Sequence, residues 1–131
     1  MKVFLSDLHL SDGKERDDFQ YHKEFDEMVR DLSKDFKRIE MILLGDIFDL
    51  IRTQKYCEHE PASLTEGRIQ EIKRKVMADI LENHGSFFET LRHFTEQSDH
   101  AFRYIVGNHN FGTCLDHTLP ETLVSLCING C

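Results

Sequence analysis

Positive charge is in short supply in this sequence: 16 lysines and arginines stand against 24 aspartates and glutamates, for a formal net charge of −8. A surface that acidic disfavours unspecific attraction to nucleic acid or to an anionic membrane. No basic, aromatic-lined stretch marks a nucleic-acid patch either. Long hydrophobic runs are also missing. No window approaches the length that spans a bilayer, so no transmembrane segment is expected. The opening MKVFLSDLHL has only Val3 to Leu5 as an apolar run before Ser6 and Asp7, too short for the apolar region of a signal peptide. The cytoplasm is therefore the expected compartment. Of four cysteines, Cys57 stands alone while Cys114, Cys127 and Cys131 crowd the C-terminal end. Their spacings are not those of a zinc pair, and a reducing compartment disfavours a disulfide framework, so free thiols are expected. Internal repeats and low-complexity segments are absent.

What is present suits one globular domain. The 131 residues, 40% apolar and 31% charged, suffice for a single core. Residues 2–6 (KVFLS), 39–44 (IEMILL) and 102–106 (FRYIV) are short apolar runs that end in turn chemistry, as strands buried on both faces of a sheet do. Between the first two lies a helical stripe, Phe25, Val29, Leu32 and Phe36. Between the second and third lie Ile69, Ile72, Val76 and Ile80, then Phe87, Leu91 and Phe94. The Phe87, Leu91, Phe94 stripe reads as core. Ser63-Leu-Thr-Glu66 and Ser86-Phe-Phe-Glu89 have the form of capping boxes, which predicts two helices, roughly over 64–84 and 87–98. Strand, helix, strand, helices, strand implies an α/β fold with a parallel βαβαβ core and a helical segment before the third strand.

Each of these strands ends in residues that ligate metals: Asp7-Leu-His9, then Gly45-Asp46-Ile-Phe-Asp49, then Gly107-Asn108-His109. In a parallel sheet all three turns lie on one edge, where open α/β sheets bind ligands. Carboxylate, imidazole and amide oxygen together suit borderline-to-hard divalent ions. The glycines before Asp46 and Asn108 allow a sharp turn. His22, His59, His84, His93 and His100 carry no such spacing and are expected to be exposed or at helix ends.

The blocks SDLHL, GDIFDL and GNHN resemble the first three signature blocks of the calcineurin-like metallophosphoesterases, D-x-H, G-D-x-x-D and G-N-H followed by an acid. SDLHL and GDIFDL are most similar to the branch that includes UDP-2,3-diacylglucosamine hydrolases. The resemblance covers residues 1 to about 112. It implies the N-terminal half of a four-layer α/β/β/α fold and hydrolysis of a phosphomonoester or phosphodiester at a dinuclear centre. Two divalent metal ions are implied as cofactors, manganese first, with iron, zinc and cobalt as alternatives. Asp7 and His9 would hold the first metal, Asp46 would bridge both, and Asn108 would bind the second. His109 would be the catalytic acid or a stabiliser of phosphoryl oxygens, and Asp49 a supporting residue.

Two departures from the family pattern matter. Asn110 stands where the family has an acid, so a neutral amide gives His109 less charge support than a carboxylate would. The family also completes its site with a later histidine and a Gly-His-x-His block, whereas only His117 follows Phe111 here. Residues 1–112 therefore read as a partial metallophosphoesterase domain, and 113–131 as an atypical tail produced by truncation or a shifted frame. Without a second sheet, an apolar face would stay uncovered and favour self-association. The alternative to an enzyme acting on a phosphate-ester substrate is an inactive or partner-completed remnant that binds metal or a partner without turnover.

Overall fold

The computed structural model describes residues 1–13, 19–97 and 99–106. Three strands, β1 (Lys2–Ser6), β2 (Glu40–Gly45) and β3 (Ala101–Val106), form one parallel sheet in the order β1-β2-β3. Helix α1 (His22–Asp35) connects the first pair, and α2 (Glu66–Asn83) with α3 (Gly85–Thr95) connects the second. The alternation of elements read from the sequence is thus present. The third turn, Gly107-Asn108-His109, and the 113–131 stretch expected to be an atypical tail lie outside the described residues.

Register decides which side chains share a face. Val3, Met41 and Phe102 are in line across the sheet, as are Leu5, Leu43 and Tyr104. These six pack with Phe25 and Val29 of α1, Ile72, Val76, Met77 and Ile80 of α2, and Phe87, Leu91 and Phe94 of α3 in one cluster. All three helices therefore cover the same face. The opposite face carries Phe4, Ile42 and Arg103 in one row and Ser6, Leu44 and Ile105 in the next. Phe4 and Ile105 are more than half exposed, while Ile42, flanked by strands on both sides, is buried. The expectation of strands buried on both faces therefore fails for the edge strands: among the described residues, one face has no cover. At its lower end Glu40 bridges Lys2 (3.1 Å) and Arg103 (2.6 Å), and the lysine contact, then both positive charges, holds its carboxyl below the usual range.

The helices follow their apolar periodicity, with small corrections. Phe36, expected on the stripe of α1, is the extended C-cap residue and is exposed. At α2 the cap is Thr65, whose hydroxyl accepts from the Arg68 N–H at 3.4 Å; Ser63 bonds instead to the Glu60 carbonyl in a short 3-10 turn. Ser86 lies inside α3, which begins at Gly85 without a side-chain cap. The single residue His84 joins α2 to α3, too short a link for a separate capping loop, and its carbonyl accepts from Phe87 and Phe88.

Candidate metal centre

The two loops that leave β1 and β2 extend the sheet's pairing past its formal end. His9 donates its backbone N–H to the Asp46 carbonyl (3.1 Å), Leu10 to that of Ile47 (2.8 Å), and Asp49 to that of Leu10 (2.8 Å). The polar residues alternate with apolar anchors: Leu10, Ile47, Phe48 and Leu50 are all at most 1% exposed. Burial of these anchors fixes the backbone and leaves the polar neighbours at the edge.

Asp7 and His9 both have left-handed backbones, at φ 54° and 51°. Asp and His visit this region more readily than most residues, yet it is uncommon outside glycine and costs about 1 kcal/mol or more. Two such residues flanking Leu8 bend the chain sharply at the sheet edge. Gly45 does the same before Asp46, at φ 72°; a Cβ there would meet nothing within 4 Å, so the need for glycine is conformational and not steric. Backbone strain of this kind clusters at functional sites. Asp7→Gly is therefore expected to be more stable than Asp7→Ala by about 1 kcal/mol in chelator-containing buffer, since alanine keeps the strain and glycine removes it. Urea unfolding of the two variants measures the difference.

The bend brings together one carboxylate oxygen each from Asp7 and Asp46 and one His9 ring nitrogen, all within 4.8 Å of one another. Asp7 is exposed, and His9 and Asp46 are half-buried. Among the described residues these are the His, Cys, Asp and Glu side chains close enough, three at a time, to share an ion. Two carboxylates and an imidazole are a donor set that suits a borderline-to-hard divalent cation.

Asp49 lies behind them and is 1% exposed. Its Oδ1 accepts the backbone N–H groups of Ile51 (3.1 Å) and Arg52 (3.0 Å). Its Oδ2 faces His9 Nδ1 at 3.4 Å and Arg52 Nε at 3.8 Å. A carboxylate facing one ring nitrogen fixes the imidazole's orientation and directs the other nitrogen towards a ligand. Asp49 thus lies behind His9 with one carboxylate oxygen turned towards the ring.

A second set of contacts, which the sequence reading missed, ties the first loop to the α2–α3 joint. Asp12 Oδ2 accepts from the Thr53 hydroxyl at 2.6 Å, and the Asn83 amide donates to the Asp12 carbonyl at 3.0 Å. Gly13, at φ 75°, approaches so closely that a Cβ would lie 2.5 Å from that amide. His84, expected at an exposed helix end, is 2% exposed and has Nε2 3.1 Å from the Ser11 carbonyl. A carbonyl only accepts, so Nε2 carries the proton. His84 Nδ1 then lies 3.2 Å from His22 Nε2. Lys55 is engaged with Asp79 at 2.6 Å, a hydrogen bond that raises its pKa. No motif points to these residues, and only Ser11, Asp12 and Gly13 lie near the first turn in sequence; their partners Thr53, Asn83 and His84 come from 41 to 73 residues away.

Asn108, His109 and Asn110 lie outside the described residues. A cavity of about 480 Å³ between α1 and α3 contains none of the candidate ligands, and its Asp26, Arg30 and Thr90 bond to one another. No helix among the described residues is long and apolar enough to cross a membrane. No protein-family model, curated protein or solved structure matches the chain.

Proposed function

We propose that the chain carries the metal-binding edge of a phosphoesterase of the metallophosphoesterase type, which hydrolyses a phosphomonoester or phosphodiester with divalent ions, manganese first. The observation that carries this reading is the convergence of Asp7, His9 and Asp46 at the C-terminal edge of a parallel sheet, with buried Asp49 behind His9. Asp7, His9 and Asp46 would hold an ion, with Asp46 shared by a second ion that also needs Asn108. Such ions supply activation of water and neutralisation of phosphoryl charge. The chain's own residues do the rest: Asp49 orients His9, the left-handed turns aim the ligands, and His109 is the candidate proton donor to the leaving group.

A second reading is metal or partner binding without turnover: among the described residues, the ligands brought together are one ion's share. Metal content after manganese loading and desalting, beside an Asp46→Ala control, separates the two. Close to two ions per chain, lost in the control, is expected for the enzyme. One ion, lost in the control, supports binding without turnover. No ion, or content indifferent to Asp46, overturns both the enzyme and metal binding by this cluster. Self-association through the bare sheet face belongs to the same proposal; larger species at raised protein concentration, suppressed by Phe4→Lys, would be its mark, and an unchanged monomer would refute it.

A further inference from the structure

The candidate ligands come from two loops, Asp7 and His9 from the one after β1 and Asp46 from the one after β2. Their separation is therefore set by how firmly one loop is held against the other. Two forces work against a close approach. The Asp7 and Asp46 carboxylates repel each other without an ion between them. The left-handed backbones at Asp7 and His9 add strain, and such conformations persist only where the surroundings over-determine them.

The backbone ladder from His9 to Leu10 supplies part of that restraint. Beyond the ladder, a closed triangle of side-chain contacts supplies more. Asp12 is 4% exposed and accepts from the Thr53 hydroxyl at 2.6 Å, which joins loop to loop. Lys55 reaches Asp79 of α2 at 2.6 Å, which joins the second loop to the helix. Asn83 of the same helix donates to the Asp12 carbonyl at 3.0 Å and closes the triangle on the first loop. Thr53 is itself buried, and a short bond from a hydroxyl to a buried carboxylate is of the strong, charge-assisted kind.

We propose that Asp12 is a positioning residue of the metal centre, held by Thr53 and Asn83 so that the Asp7–His9 loop keeps its place against Asp46. The inference rests on the metal-site reading above.

The test sets manganese affinity against stability for the full chain as wild type, Thr53→Val, Thr53→Ser and Asn83→Ala. None of these changes alters a charge, so a shift in affinity is not electrostatic. A merely structural role would lower the urea midpoint and leave the affinity of the folded protein alone. Thr53→Val keeps the shape without the donor and is expected to weaken manganese about tenfold. Thr53→Ser keeps the donor and should bind within about twofold of wild type. Asn83→Ala, at an exposed helix end, should cost about threefold, and it carries the test if Thr53→Val does not fold. Affinity in the folded valine variant, or in its place Asn83→Ala, within about twofold of wild type overturns the assignment while the metal site stands. Serine as damaging as valine also overturns it, because packing and not the hydrogen bond would then matter. Wild type that binds no manganese defeats the metal-site reading beneath, and this inference with it.

Discussion

Asp49→Ala is expected to lower manganese affinity by about 10- to 100-fold, the usual effect of removing the carboxylate behind a ligating histidine. With Oδ2 at 3.4 Å from His9 Nδ1, Asp49 favours a proton on that nitrogen and so keeps the lone pair on the other. Alanine also removes the acceptor for the Ile51 and Arg52 N–H groups, and orphaned buried donors cost about 1–3 kcal/mol. Asp49→Asn separates the two effects. Its amide oxygen can still accept both backbone donors, but the group facing His9 becomes an NH₂ that competes for the wrong tautomer. Stability should return and metal affinity should not. The two quantities are read by urea unfolding and by manganese titration. If asparagine restores both, the charge of Asp49 does not orient His9.

The elements were legible because each depends on local periodicity. Ile72, Val76 and Ile80 recur at helical spacing and are buried in α2, and the run from Met41 to Leu43 became the central strand. The turns were legible in kind: Gly45-Asp46 does require a positive φ at the glycine. Other features were hidden, for separate physical reasons. The left-handed backbones of Asp7 and His9 accompany the pairing of Leu10 with Phe48, a contact between loops far apart in sequence. The burial of His84 depends on Ser11, 73 residues away. Which of Ser63 and Thr65 caps α2 was decided by a competing local bond from Ser63 to Glu60, which propensity alone does not weigh. Apolar runs alone did not show which strand residues stay exposed, because Phe4 and Ile105 are as hydrophobic as their buried neighbours.

Phe87→Ala should have the largest effect on stability. Phe87 is fully buried, stacked on Phe25 with ring centroids 4.7 Å apart and edge-on to Phe88 and Phe19 at 5.5 and 5.6 Å. Truncating such a ring costs about 3–5 kcal/mol, a large share of the roughly 5–15 kcal/mol that holds a domain together. Phe87→Leu keeps most of the volume and should cost less, about 1.5 kcal/mol. Urea midpoints with unchanged slopes would measure both. The position matters to the site as well, because Phe19 links Phe87 to the His22–His84 pair, and His84 holds the Ser11 carbonyl in the first ligand loop. Manganese should therefore raise the urea midpoint of Phe87→Leu by about as much as it raises that of wild type, since the loop is still supported. For Asp49→Asn the same addition should give a much smaller rise at equal metal concentration. A core substitution lowers stability with the metal linkage intact, and a site substitution lowers the linkage with stability intact. If Phe87→Leu lost the manganese-dependent rise, the aromatic cluster would belong to the metal site and not merely to the fold beneath it.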